Sequence, residues 1–431
     1  MLFFLTASWA SDIKRAGTSL YQIFRISTHK KPEDLCDLWD TSQKGALAKM
    51  FQALIILDIK MEHQDYWIQV DRFCSHLGGE KQEIPEDFVP NIKAYFEELS
   101  HTAMAAGSVT NIFLAKRKDG KKAVIKVYVP ETEKNHEFVA GFIERFISFC
   151  KNRSGLVNSK ELICEINEDF YKEYDLNEEF KSAQILWEIF KKDPDIQVSK
   201  PLISDGRKWI ALEYMEGKTL PQFMLTENAT EKERSEIFRL IFKFFIKTIK
   251  NGYFYSDFSP GNLLIMRKKD KLALQVIDCG GLRILTKEQS KALVEFLKVE
   301  TPDRWSQAWP ENCAKSFANN KETIRQFFKS FGSTDEDLAN EETLRYLWRL
   351  FTAFMHPISK NKVLSSSYKE DKIAFEEHIR ENMPDNARGP LRSLQLLRTF
   401  EYLFSLYYRL DVKLNLYQEL EKLEKNLKRN S

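Results

Sequence analysis

The sequence predicts an α+β fold in which a small β-rich lobe precedes a larger helical lobe, with a helical extension in front of both. Residues 101–217 contain short runs of alternating apolar residues separated by turns, a pattern typical of strands. Residues 218–431 are dominated by helical periodicity, and residues 1–100 are mostly helical as well. Strands followed by helices in one chain are typical of two lobes of different composition.

The composition indicates a globular chain with a large apolar core. The 431 residues are 43% hydrophobic and 13% aromatic, which excludes a disordered polypeptide. Lysine and arginine number 65 against 63 aspartates and glutamates, so the overall charge gives no basis for a nucleic-acid partner. The six cysteines form no CxxC pair, which favours thiols in a reducing compartment, and the seven histidines lack the spacing of a zinc site.

The amino-terminal extension combines one clear helix with an apolar and basic start. In residues 44–58 apolar side chains recur at i, i+3, i+4 and i+7, which predicts an amphipathic helix. Residues 1–31 hold five basic residues and one acid after an apolar beginning. We expect no membrane span, because no run of about 18 apolar residues occurs. An ordinary helical start is the simpler interpretation, and peripheral membrane contact or an organelle-targeting segment is the alternative, so we expect a cytoplasmic or membrane-surface location.

A lysine lies inside one of two predicted strands, residues 112–115 and 122–129. Lys126 is flanked by apolar residues, and burying a lysine there is costly unless an anion meets it. An exposed lysine on an edge strand is the alternative interpretation. Downstream, residues 178–191 predict a helix whose apolar stripe is extended by Glu179, so an inward carboxylate could pair with Lys126. A surface glutamate in the first helical turn is the alternative there.

The strongest chemical signal is a pair of motifs around a predicted hairpin of residues 262–266 and 272–277. Asp257 and Asn262 lie five positions apart, and Asp278 follows the second strand, directly before Cys279 and Gly280. Phosphoryl transfer requires a carboxylate at the attacking oxygen and oxygen ligands for Mg²⁺ on the phosphates. The spacing is that of a kinase catalytic loop followed by its metal-binding aspartate. A polar turn followed by a buried strand end is the alternative.

These motifs resemble the UbiB/AarF family of atypical kinases, of which this chain looks like a divergent member. The family's H-x-D-P-H-P-G-N loop is matched by residues 255–262, with Tyr255 and Ser259 standing where the family has histidines and Phe258 in place of its first proline. The family's alanine-rich nucleotide loop is similar to residues 105–108, and no G-x-G-x-x-G precedes Lys126. Residues 45–52 resemble the family's K-x-G-Q element, with Phe51 replacing the glycine.

The resemblance implies a protein-kinase-like fold that binds ATP with Mg²⁺. It implies Asp257, Lys126 and Glu179 as catalytic residues and Asn262 with Asp278 as metal ligands. It places the nucleotide against a loop, a hinge strand and the extension, through Ala105, Ala106, Gly107, Ser108, Lys126, Glu213, Met215, Lys49 and Gln52. It also implies a link to lipid or isoprenoid quinone metabolism, with an unidentified small-molecule or lipid acceptor.

Two other functions compete with an ATPase or phosphotransferase of this family. One is a small-molecule phosphotransferase of the aminoglycoside or choline kinase type, whose catalytic loop is also similar to residues 257–262. The other is a pseudokinase scaffold that binds nucleotide without chemistry. The retention of Lys126, Asp257, Asn262 and Asp278 argues against the scaffold, and the loss of the histidine at position 255 argues slightly for it.

Overall fold

A computed structural model describes residues 67–68, 70–71, 83–86, 88–106, 110–128, 175–206, 208–269, 271–302, 309–354 and 394–429. The chain divides into two compact units, Met1–Val139 and Ala140–Ser431. The helix predicted for residues 44–58 and the apolar start of the chain lie outside the described residues. The predicted boundaries between the extension and the β-rich lobe, after residue 100, and between the two lobes, after residue 217, stay predictions.

The first unit contains an antiparallel sheet in which β3 lies between β1 and β4, with the short β2 also paired to β3. Its described elements are helix α1 (Val89–Lys93) and strands β1 (Phe96–Leu99), β2 (Ala105–Ala106), β3 (Thr110–Arg117) and β4 (Lys122–Tyr128). The two strands predicted from sequence are confirmed, and the first is longer than expected. Gly120 between them has a φ of 80°, a conformation that glycine adopts without strain.

Strand β4 is buried at its centre on both faces. Ala123, Ile125 and Val127 point to one side and are at most 2% exposed, as their alternation predicted. Lys126 points to the other side and is only 5% exposed. The alternative interpretation of Lys126 as an exposed edge-strand lysine is therefore wrong.

The second unit contains eight described strands in three groups. They are β5 (Ile196–Val198), β6 (Pro201–Ser204), β7 (Trp209–Glu213), β8 (Lys218–Thr219), β9 (Tyr253–Tyr255), β10 (Leu263–Lys268), β11 (Lys271–Val276) and β12 (Leu282–Ile284). Strands β6 and β7 form an antiparallel hairpin, and β9 pairs with β12. A four-stranded sheet has the order β5-β11-β10-β8, with β5 parallel to β11.

One predicted strand is two strands in the structure. The sequence of residues 196–203 favours one continuous strand, but β5 pairs with β11 whereas β6 pairs with β7. Pro201 stands at the break, and a proline has no N–H with which to continue a ladder. The hairpin predicted for residues 262–266 and 272–277 is confirmed as β10 and β11, each shifted by about one residue.

The other described elements of the second unit are helices. They are α2 (Leu176–Phe190), α3 (Leu220–Thr226), α4 (Glu231–Lys250), α5 (Lys287–Phe296), α6 (Trp309–Ser330), α7 (Asp335–Ala339), α8 (Glu341–Phe354), α9 (Leu394–Arg409) and α10 (Leu416–Arg429). Helix α2 starts two residues earlier than predicted because Asp175 caps it, accepting the N–H groups of Asn177 and Glu178. Among the described residues, no helix combines the length and apolar character needed to cross a bilayer.

Helix α4 forms the centre of the second unit and packs against β9 and β11. Thr230 and Glu233 form a capping box at its start, and Gly252, with a φ of 86°, follows its end. Phe244 and Phe245 on its buried face contact the rings of Tyr255 and Phe258 beyond β9. Each such aromatic pair contributes about 0.5–1.5 kcal/mol beyond area burial, so α4 holds the chain after β9 in place.

Candidate active site

The two motifs singled out in the sequence lie side by side because β9 pairs with β12. Tyr255 at the end of β9 is opposite Leu282 at the start of β12. Ser256 adds two further bonds, since its N–H and its Oγ both donate to the carbonyl of Gly281 at 2.9 Å. The loop after β9 and the loop before β12 are thus fastened together over residues 256–262 and 278–281.

Gly281 allows the closest approach between these loops. A Cβ placed on it would lie 2.9 Å from both the backbone nitrogen and the Cβ of Asp257, a distance that real Cβ atoms essentially never show. Only glycine fits here without displacing Asp257. The sequence motif drew attention to Gly280, and the requirement at Gly281 was missed because it arises from a contact between distant segments.

Asp257 is held by hydrogen bonds within its own loop. Asn262 Nδ2 donates to Asp257 Oδ2 at 3.0 Å, and the Ser259 N–H donates to Oδ1 at 3.3 Å. A 3₁₀ turn over Pro260–Asn262 brings Asn262 back toward Asp257. The five-residue spacing seen in the sequence therefore corresponds to a direct contact between the two side chains.

Asp278 is fixed on both its side chain and its backbone. Its Oδ1 accepts the N–H of Gly280 at 2.9 Å, and its carbonyl accepts the hydroxyl of Tyr255, also at 2.9 Å. The N–H of the preceding Ile277 donates to the carbonyl of Asn262 at 3.2 Å. Asp278 and Asn262 are therefore positioned by the same hydrogen-bond network.

Tyr255 lies at the centre of this network, and sequence reasoning assigned it no role. Its side chain is fully buried. Burial, and then the negative charges of Asp257 and Asp278, raise the pKa of Tyr255 well above its usual value, with a smaller effect from Glu179. The hydroxyl therefore stays protonated and donates to Asp278. Glu179 lies half-buried on α2, and its negative charge adds to the electrostatic effect on this hydroxyl.

Phe258, which replaces a proline of the family loop, belongs to the core. Its ring is fully buried and meets Tyr255 edge-to-face at 5.1 Å, and it also contacts Phe244 and Phe245 of α4. Phe258 thus supports the loop from beneath, and its apolar side chain contributes packing rather than chemistry.

The hinge is predicted at residues 212–217, and its last five residues, 213–217, form a hinge segment that is anchored at both ends. Glu213 donates its N–H to the Lys200 carbonyl at 2.8 Å, and its own carbonyl accepts Ser199 Oγ at 2.6 Å. Gly217 donates its N–H to Gln275 Oε1 at 2.8 Å. Between these ends Met215 is half-buried.

The remaining predicted residues lie in the first unit or outside the described residues. Lys126 is buried on β4, and Ala105 and Ala106 form β2 opposite Ile112 and Asn111 of β3. Gly107, Ser108, Lys49 and Gln52 lie outside the described part of the chain. Their assignments to nucleotide binding stay predictions.

The oxygen atoms of Asn262 and Asp278 suit a magnesium ion. Because Asn262 uses its amide nitrogen on Asp257, its oxygen is the atom that could bind a cation. Across the described ranges, no group of three or more His, Cys, Asp or Glu side chains could hold a metal ion. Magnesium is commonly held by one or two protein oxygen ligands together with substrate phosphates, so this small donor set fits that ion with a phosphate ligand.

Comparisons with known proteins identify the family of this chain. A family model described as the ABC1 atypical kinase-like domain matches residues 80–304, slightly more than half of the chain. A probable protein kinase UbiB from Aeromonas hydrophila is 22% identical over 237 residues, 53% of this chain and 42% of that protein. AarF domain-containing protein kinase 1 from Xenopus laevis is 22% identical over 284 residues, 63% of this chain and 54% of that protein. The chain spans about half the length of these curated relatives.

A solved structure shows the same overall architecture. Rv3197 from Mycobacterium tuberculosis, determined in complex with erythromycin, matches with a TM-score of 0.54 and 14% identity over 96% of this chain and 97% of that one. At this identity the likeness concerns the fold alone. With the family match, it confirms the predicted α+β, kinase-like fold.

Proposed function

The chain belongs to the ABC1 atypical kinase-like domain family, and we propose that it binds ATP with Mg²⁺ and transfers or hydrolyses the terminal phosphoryl group. The observation that carries this proposal is the Asn262–Asp257 hydrogen bond at 3.0 Å, in a loop fastened to the segment of Asp278. Catalysis of phosphoryl transfer depends on positioned groups more than on covalent chemistry. A carboxylate held by the neighbouring amide, next to a second carboxylate, meets that requirement.

Asp257 is proposed to orient and deprotonate the attacking hydroxyl or water. The bonds from Asn262 Nδ2 and the Ser259 N–H fix its carboxylate plane, so it need not reorganise when a substrate arrives. Deprotonation by a positioned base contributes a factor of about 10²–10⁴ to such reactions.

Asn262 and Asp278 are proposed to hold Mg²⁺ through one oxygen each. Bound there, the ion would neutralise charge on the phosphates. The Gly280 N–H and the Tyr255 hydroxyl hold Asp278 from its side chain and its backbone, so the ligand geometry is set by the fold. Lys126 is proposed to contact the phosphates, with Glu179 as its partner, because a buried lysine requires an anion.

The acceptor and the cellular role are proposed from the relatives. Two of them are named as UbiB and AarF-type protein kinases. We propose a small-molecule or lipid acceptor, including isoprenoid quinone precursors, and a peripheral membrane contact through residues 1–31. Lys49 and Gln52 of the extension are proposed to cover the nucleotide, which would make generic proteins poor acceptors.

Phosphate release from ATP tests the proposed chemistry. Asp257→Asn should lower turnover by at least about a hundredfold while ATP still binds, because the base is lost and the metal ligands remain. Asp119→Asn is the matched control, an exposed carboxylate that pairs with Arg117 in the first unit. Turnover in Asp257→Asn equal to that of the control would rule the assignment out. Binding without any turnover in the wild type would favour the scaffold function instead.

A further inference from the structure

The hinge segment, residues 213–217, is tied to the sheet below by two buried polar side chains. Ser199 and Gln275 are each only 1% exposed. Ser199 Oγ donates to the Glu213 carbonyl at 2.6 Å, and Gln275 Oε1 accepts the Gly217 N–H at 2.8 Å. Buried polar groups are retained where their bonds define a structure, so these two bonds mark the segment as one whose backbone position is specified.

The orientation of the Gln275 amide is fixed by a third bond. Its Nε2 donates to Gln197 Oε1 at 2.8 Å, on the neighbouring strand β5. A flipped amide would turn its NH₂ group toward the N–H of Gly217, placing donor against donor. Gln197 therefore keeps the acceptor oxygen of Gln275 directed at the hinge segment.

Gln275 lies on β11, and Ser199 directly follows β5, the parallel partner of β11. Gln275 is opposite Gln197, and the N–H of Ser199 continues the pairing by donating to the Val276 carbonyl at 3.1 Å. Strand β11 then runs into Asp278, three residues after Gln275. Strand β11 thus holds the hinge segment through Gln275 and leads directly to Asp278, the proposed metal ligand. The hinge segment and Asp278 are therefore kept at a constant separation.

Gly217 must come very close to Gln275 for this bond to form. A Cβ on Gly217 would lie 2.7 Å from Gln275 Oε1, 3.0 Å from Leu264 Cβ and 3.1 Å from the Ile265 carbonyl oxygen. A side chain at this position would push the segment away from β10 and β11. The glycine and the glutamine are therefore complementary parts of one contact.

We propose that Ser199 and Gln275 are positioning residues that fix the backbone of residues 213–217 for recognition of the adenine base. This inference rests on the proposed function, since ATP is the ligand of that proposal. Ordering a segment before its ligand arrives removes an entropic cost from binding. The Ser199 bond fixes the direction of the Glu213 carbonyl, and the Gln275 bond fixes the other end of the segment at Gly217.

The test compares Gln275→Met with the wild type. Methionine keeps the length and the burial of the side chain but makes neither hydrogen bond. We expect the Kd for ATP, measured at equilibrium with Mg²⁺, to rise about tenfold, which corresponds to about 1.4 kcal/mol. The effect should fall on KM, with kcat changed less than about twofold, because Asp257 and the metal ligands are untouched. Amide hydrogen exchange at residues 213–217, measured without nucleotide, should become faster.

Two further variants guard against a general loss of stability. Thr248→Val removes a buried side-chain hydrogen bond to the Phe244 carbonyl in α4 and should change neither the Kd nor the exchange at residues 213–217. Gly217→Ala breaks the same contact from the Gly217 side, and it should also raise the Kd for ATP and speed the exchange at residues 213–217. It therefore serves as the test variant if Gln275→Met does not fold. An unchanged Kd in both hinge variants, with or without faster exchange, would overturn the inference while leaving the proposed function intact. No binding of ATP by the wild type would overturn both.

Discussion

Replacing Tyr255 with phenylalanine would remove one oxygen atom from the centre of the candidate site and leave the ring in place. The hydroxyl donates to the Asp278 carbonyl at 2.9 Å, and the side chain is fully buried. The carbonyl of the half-buried Asp278 therefore loses its donor. Because this hydrogen bond is only partly shielded from water, we expect the free energy of unfolding to fall by about 1–2 kcal/mol.

The same change should weaken magnesium binding, because the bond restrains the backbone of Asp278. If the change weakens Mg²⁺ binding by about 1.4 kcal/mol, the midpoint of a Mg²⁺ titration of ATP binding moves to an Mg²⁺ concentration about tenfold higher. Urea unfolding gives the first quantity, and a Mg²⁺ titration of ATP binding gives the second.

Tyr407→Phe is a matched control for this experiment. Tyr407 is also fully buried, and its hydroxyl donates to the Leu414 carbonyl at 3.0 Å and accepts the Leu414 N–H at 3.4 Å, beyond the end of α9. We expect a loss of stability at least as large and no change in the magnesium midpoint. Equal magnesium midpoints in the Tyr255→Phe and Tyr407→Phe variants would refute the role of the Tyr255 hydroxyl in holding Asp278.

Three other changes have defined outcomes. Gly281→Ala should lower stability by about 1–3 kcal/mol in urea unfolding and reduce turnover, whereas Gly280→Ala, whose Cβ would sit 3.4 Å from its nearest neighbour, should cost less. Lys126→Ala should shrink the ATP-induced rise in melting temperature, and the exposed Lys122→Ala on the same strand should not. Burial of Asp193 opposes ionisation, but hydrogen bonds from two lysines of α4 outweigh it and lower its pKa. Its contribution to stability is therefore present above about pH 4 and lost as the pH falls further, a loss that Asp193→Asn should reduce in acid titrations of unfolding.

Much of the fold could be predicted because local patterns and tertiary structure agree. The strand of residues 122–129 and the helix of residues 178–191 each follow one periodicity, and both were confirmed, as β4 and α2. The break between β5 and β6 was missed because both halves favour extended backbone, although Pro201 marks the break and the two halves pair with different strands.

The candidate site was predicted at the level of its motifs but not of its supports. The spacing of Asp257 and Asn262 follows from a short turn, so it is readable in the sequence. Tyr255, Gly281 and Gln275 act through segments that are distant in the chain, and no local pattern marks such contacts. A proline–glycine or aspartate–glycine pair in the sequence indicates a turn. Which two turns pack closely against each other is seen only in the folded structure.

The magnesium dependence of ATP binding tests the central claim most directly. The account assigns the metal to Asp278 and Asn262 and the chemistry to Asp257. Equilibrium ATP binding should be measured over a range of Mg²⁺ concentrations for the wild type, Asp278→Asn and Asp257→Asn. We predict that Mg²⁺ tightens binding in the wild type and in Asp257→Asn, and that this dependence is lost in Asp278→Asn. Retention of the wild-type magnesium dependence by Asp278→Asn would contradict the account.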